Sequence, residues 1–182
     1  MTDKKPAGHP YPRLARLTVE KFLAGDDITD DLPVEVSADK YFWNIRRACF
    51  VTIKTLSGDL RGCIGTIWPV QPDLGREIMA NAVSAATRDP RFEPMHSPDL
   101  ARVVFSVDVL GQPEPVTDLG ELDPSVWGVI VTRDGRRGLL LPDLEGVDTV
   151  EKQLAIAAQK AGLRGYEGAE IQRFNVTRHP ER

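Results

Sequence analysis

The residues best suited to chemistry lie in one short run, Arg61-Gly62-Cys63-Ile64-Gly65-Thr66. The thiolate is the nucleophilic form of cysteine, and a nearby cation favours it over the thiol. Glycine lets a backbone approach another group closely, at a cost in strand stability. The run therefore suits a nucleophilic or redox thiol at Cys63, with Arg61 or Arg91 as the activating cation. It equally suits a surface on which an anion rests. The competing reading is packing. Cysteine is often a small buried hydrophobe, and Gly62 and Gly65 would let their strand close on an alanine-rich helix at 78–86. A Cys–His pair needs a histidine in reach. His9 and His179 lie near the ends, and His96 sits in a proline-bounded loop that favours a solvated role.

A second constellation is Arg88-Asp89-Pro90-Arg91-Phe92. Paired arginines can grip a carboxylate or phosphate as a fork, with an acid orienting one of them. The residue types assign Asp89 and Pro90 to stopping a helix, Phe92 to the core and Arg91 to function. Trp68, just past the run, is the aromatic best placed to wall a pocket. Glu114, between Pro113 and Pro115, is a candidate acid or base, or else a solvated loop charge. Cys63 is thus the candidate catalytic residue. Arg61, Gly62, Gly65, Thr66, Trp68, Arg91 and Glu114 are the candidate ligand contacts. Metal-ligand spacing, a phosphate loop, a dinucleotide fingerprint and a three-cysteine radical-SAM motif are missing from the sequence, so no metal or cofactor is expected.

These side chains need a scaffold. Leu14, Leu17 and Phe22 recur near helical spacing over 11–24, with Gly25 as a stop. Residues 1–9 read as a disordered tail, and 26–39 as an acidic loop. Cys49, Val51 and Ile53 alternate with Phe50, Thr52 and Lys54, which marks a strand over 48–55. Ser57-Gly58-Asp59 then turns the chain back as a hairpin carrying Cys63. A helix over 72–87, with Pro72 at its first position, would bury Leu74, Ile78, Ala82 and Ala85. A strand follows over 100–110, and then two more joined at Asp134-Gly135, a favoured hairpin turn. Asp148 and Glu151 are spaced as a capping box for a last helix that Gly162 closes. A final strand covers 169–177. Hairpins with helices between them indicate an α+β fold, mostly antiparallel, with a smaller second lobe.

Composition sets the outer bounds. The chain has 182 residues, is 41% hydrophobic and 27% charged, and carries a net charge of −4. That describes a folded globular protein with no basic excess to recruit nucleic acid. No apolar run is long enough to span a bilayer, and the polar start lacks a secretory core. The two cysteines then read as reduced thiols in a cytoplasm.

Leu60 to Thr66 resembles the signature of the AMMECR domain family. Further blocks agree in order: Ala85 to Phe92, Val107 to Leu110 with Pro113-Glu114-Pro115, Gly138 to Pro142, and Lys160 to Leu163. Together they define one AMMECR-like domain over 10–178. The resemblance implies an α+β fold and a family without an established biochemical activity. It also implies similarity to protein A of the AmmeMemoRadiSam system, which sets such domains beside a Memo-like protein and a radical-SAM enzyme. The chain departs from the family at Asp143, at Val147-Asp148 and at Ala157-Ala158-Gln159, where many members carry glutamine, tryptophan and cysteine. Three functions follow as expectations. The first is a binding or accessory component for a small anionic substrate, acting with those two partners. The second is a thiol-dependent enzyme with Cys63 as nucleophile. The third is an interaction module without chemistry of its own.

Overall fold

A computed structural model describes residues 9–26 and 43–181. The expected loop at 26–39 and tail at 1–9 lie outside them, apart from Asp26 and His9. The described residues form two compact units. One runs up to Val109 and resumes at Arg178; the other is Leu110–Thr177.

The first unit holds helix α1 (Pro10–Ala24), the hairpin β1 (Cys49–Thr55) and β2 (Leu60–Gly65), helix α2 (Leu74–Thr87) and strand β3 (Val103–Leu110). Its four-stranded sheet has the order β2-β1-β3-β8, with β8 at Val176–Pro180. β1 pairs antiparallel with both neighbours. The alternation read from β1 is realised: Cys49, Val51 and Ile53 are wholly buried. They meet Leu14, Val19, Leu74, Ile78, Ala82 and Ala85 from the two helices and Phe105 and Val107 from β3. Thr52 and Lys54 therefore face away from the helices.

α1 is capped by His9, whose ring accepts the Tyr11 N–H, and closed by Gly25 at φ 80°. α2 starts two residues later than the sequence suggests. Asp73 is its N-cap, accepting the Arg76 N–H, and Pro72 stands outside the helix. An acid at N-cap satisfies an orphan donor, which proline at N1 cannot do. The strand expected from residue 100 begins at Val103, because Ser97–Arg102 forms a 3-10 helix.

The second unit holds β4 (Glu114–Pro115), β5 (Gly128–Arg133), β6 (Arg136–Leu140), helix α3 (Val150–Lys160) and β7 (Glu170–Phe174). Its sheet has the order β4-β7-β5-β6. Asp134 and Gly135 both take positive φ and close the β5–β6 hairpin as their pairing predicts. α3 buries Leu154, Ala157 and Ala158, and also Gln153, whose amide donates to the Trp127 carbonyl at 2.7 Å. Its cap is Thr149, not Asp148: the threonine hydroxyl accepts the Lys152 N–H. The last strand is split. Asn175 interrupts it, its carbonyl taken by the Gly111 N–H at 2.9 Å, so β7 joins one sheet and β8 the other.

Each unit brings a strand against a helix through one glycine. A Cβ on Gly62 would lie 2.1 Å from the Ala85 carbonyl oxygen, and one on Gly138 would lie 2.0 Å from that of Ala157. No other residue permits that approach.

Candidate functional site

The signature occupies β2, an edge strand. Thr52 lies directly across the hairpin from Cys63, and Ser106 lies on the other side of Thr52. Three small polar side chains thus form one row on the face away from the helices. Cys63 Sγ and Thr52 Oγ1 are 3.2 Å apart and share a hydrogen bond. Gly62 and Ile64 point the other way, Gly62 against α2 and Ile64 against the core. The pairing register slips between Ile53 and Lys54, which leaves Arg61 without a partner across the hairpin. A bulge re-aims the side chain it carries. Arg61 Nη2 donates to the Glu93 carbonyl at 2.8 Å and lies 3.9 Å from Asp99.

The second constellation folds onto the first. Asp89 is buried, and its carboxylate accepts the Cys63 N–H at 2.9 Å. It also accepts from Arg91: the backbone N–H at 3.1 Å, Nε at 2.9 Å and Nη2 at 2.7 Å. Arg91 Nη2 reaches on to the Cys63 carbonyl at 3.4 Å. The two motifs are therefore one structure, in which an acid–arginine pair holds the backbone of the cysteine strand. The Arg91 guanidinium keeps the Asp89 carboxyl well below the usual carboxylate range, and the two backbone donors add to this against the opposing effect of burial. Asp89 in turn raises Arg91, whose side chain stays 55% exposed. Pro90 ends α2 beside them; Phe92 is half-buried, and Met95 takes the core position.

Gly65 packs on the Phe50 ring, which a Cβ would enter at 2.3 Å. The Thr66 hydroxyl donates to Glu77 Oε1 at 2.5 Å. Glu77 Oε2 accepts the N–H groups of Val70 and Gln71 at 2.9 and 2.7 Å. Arg46 binds the Pro69 and Gln71 carbonyls from the same loop. Trp68, 40% exposed, is thus carried on a loop held by a wholly buried carboxylate. Sequence reasoning missed Glu77. The signal was present: with Leu74, Ile78, Asn81 and Ala82 it falls on the inward face of the helix.

Other candidates lie apart from this cluster. His96 is exposed, and its backbone N–H donates to the Asp99 carboxylate at 2.9 Å. Glu114 belongs to the second unit, where it pairs with Arg173 at 3.6 Å. Arg173 also stacks on Trp127 at 4.4 Å. Cys49 is wholly buried, and burial pushes its thiol up to about 12. Asp108 and Arg178 also went unnoticed as a pair. Asp108 is buried on β3 and takes Arg178 Nε and Nη2 at 2.9 and 3.0 Å. Seventy residues separate them (178 − 108), so no local spacing announces the contact.

Among the described residues, no group of three or more His, Cys, Asp or Glu could hold a metal ion, and no helix is long and apolar enough to cross a membrane. What the fold and site define is an α+β protein with two antiparallel sheets. A half-exposed cysteine sits on an edge strand pinned by an acid–arginine pair. The AMMECR1 family model matches residues 12–179, and the chain belongs to that family. A Thermotoga maritima protein is 46% identical over 172 residues, covering 94% of this chain and 97% of that one. A Clostridium acetobutylicum protein is 45% identical over 98% of this chain, which spans only 37% of its length. The crystal structure of an uncharacterised Pyrococcus horikoshii protein superposes with a TM-score of 0.80 at 28% identity, covering 96% of this chain and 91% of that one.

Proposed function

We propose that this chain is a binding or accessory component for a small anionic substrate, working beside a Memo-like protein and a radical-SAM enzyme. The observation that carries the reading is the surroundings of Cys63. Among the described residues its thiol hydrogen-bonds a hydroxyl, Thr52, rather than a base. Its backbone is fixed by Asp89 and Arg91, and the Arg91 side chain remains more than half exposed. A rigid strand edge beside a solvent-facing guanidinium suits the holding of an anion. The long Clostridium relative supports a modular role, because there a domain of this kind makes up about a third of a larger chain.

The thiol-enzyme reading is favoured by one observation: Cys63 is half-exposed, and the Arg91 guanidinium reaches its backbone carbonyl at 3.4 Å. One experiment separates the two. Native protein is alkylated with iodoacetamide at pH 7, both cysteines are resolved by peptide mass spectrometry, and a Cys63→Ser variant is tested for association with Memo-like and radical-SAM proteins of the same organism. The accessory reading expects Cys63 to react no faster than a free peptide thiol. Cys49 reacts only after unfolding, and the variant still associates. A Cys63 that reacts many times faster than the peptide would transfer the case to the enzyme. Failure of the wild-type chain to associate with either protein would overturn the accessory role.

A further inference from the structure

We infer that the anion-binding subsite is a cavity on the outer face of the first sheet, beside Cys63, and that its ligand is a small monocarboxylate. The inference rests on the reading of this chain as a binder of small anions, moves the anion from the Arg91 edge to this cavity, and adds the chemical class. The cavity encloses about 270 Å³ and is lined in part by Thr52, Lys54, Ser106, Asp108 and Arg178. Neither Arg61 nor Arg91 borders it. Thr52 belongs both to its wall and to the hydrogen bond with Cys63, so the cavity begins one residue from the thiol.

The charges in the wall are unequal in what they leave over. Asp108 is bound at both oxygens by Arg178. Glu181, also in the wall, accepts the Phe105 N–H at 2.8 Å and a bidentate contact from Arg16. Each carboxylate is already matched by its own arginine. Lys54 is exposed, and no carboxylate among the described residues forms an ion pair with it. Of the cations in the wall it is the one that no carboxylate engages. The Thr52 and Ser106 hydroxyls share its face and supply neutral donors, a set that matches the acceptors of one carboxylate. With both acids matched by arginines, one lysine is the unmatched charge, which balances a monoanion and not a dianionic phosphate. The volume falls just below the ~300–1,000 Å³ of ordinary small-molecule sites. Val104 and Pro180 add an apolar surface for a short carbon body.

The test titrates acetate, pyruvate and inorganic phosphate separately into the ¹⁵N-labelled full chain and follows backbone amide shifts. Wild type and Lys54→Met are compared, and the spectrum itself reports whether the variant is folded. The expected result is saturable carboxylate binding that shifts amides of β1 and β3 around Thr52 and Ser106. Lys54→Met weakens it by about tenfold or more, and Lys54→Arg restores part of the loss. Binding that is untouched by Lys54→Met and shifts residues 61–66 and 88–92 instead overturns the cavity while leaving the anion reading intact. Saturation by phosphate and not by either carboxylate overturns the monocarboxylate. No saturable shift with any of the three anions overturns both.

Discussion

Replacing Gly62 by alanine tests whether the signature glycine exists for packing. The added Cβ would stand 2.1 Å from the Ala85 carbonyl oxygen and 3.1 Å from its carbon, whereas real Cβ atoms essentially never come within 3.0 Å of another atom. The obstacle is helix backbone, so no rotamer change relieves it. β2 and α2 must separate by roughly 1 Å, and a close-packed interior transmits that gap. The separation loosens the packing of Ile64 against the first unit's core. Overpacking of this kind costs typically 1–3 kcal/mol, and a rigid obstacle sets the expectation at the upper end, about 3 kcal/mol. For a chain of this length that lowers Tm by roughly 6–12 °C. The assay is urea unfolding, with a reduced midpoint and an unchanged slope. Gly138→Ala should behave alike, since its Cβ would meet Ala157 oxygen at 2.0 Å and Ala161 nitrogen at 2.6 Å. A Gly62→Ala protein within about 0.5 kcal/mol of wild type, the ordinary range for surface substitutions, would refute the packing argument. If that protein had also lost ligand binding, the glycine would serve close ligand approach instead.

Two further outcomes follow from the carboxylates that hold the site. Asp89→Asn removes the charge that Arg91 faces and leaves one oxygen to serve donors that now use two, so it should cost about 2 kcal/mol at pH 7. Because the native Asp89 carboxyl is held below its usual range, the unfolded chain takes up this proton first as pH falls below about 4. The stabilisation is therefore complete at neutral pH and is lost toward acid. The gap between wild type and variant in urea midpoint should narrow from pH 7 to pH 3; a constant gap would contradict it. Glu77→Ala strips the acceptors from Thr66, Val70 and Gln71 in a buried place and should cost about 3 kcal/mol. Glu77→Gln keeps an oxygen for the two amides and should cost less than half as much, with Trp68 fluorescence close to wild type.

Local patterning carried the first hairpin. Strict alternation in β1, a Ser-Gly-Asp turn and a glycine-rich return strand left one arrangement that buries Cys49, Val51 and Ile53. Helix α2 was legible for the same reason, down to its small inward face. What escaped depended on partners far away in the chain. Nothing near Asp89 announces that its carboxylate would hold the Cys63 amide, and nothing near Asp108 points to Arg178. Several boundaries shifted because the residue that captured the local hydrogen bond was not the one the pattern favoured. Thr149 capped where Asp148 was expected, Asp73 displaced Pro72, and Asn175 broke a strand that has no glycine or proline to mark the break.

The Asp89–Arg91 pair has a consequence for how anything can meet this face. The outermost strand of a sheet normally presents unpaired amides and carbonyls, a template on which another chain can be laid. At Cys63 both groups are taken, the amide by the acid and the carbonyl by the arginine. A visiting peptide therefore cannot extend the sheet by backbone pairing at this point, the route that strand-adding partners use elsewhere. Whatever docks here must read side chains. The same blockade removes Cys63 as a pairing point between two copies of the chain along β2.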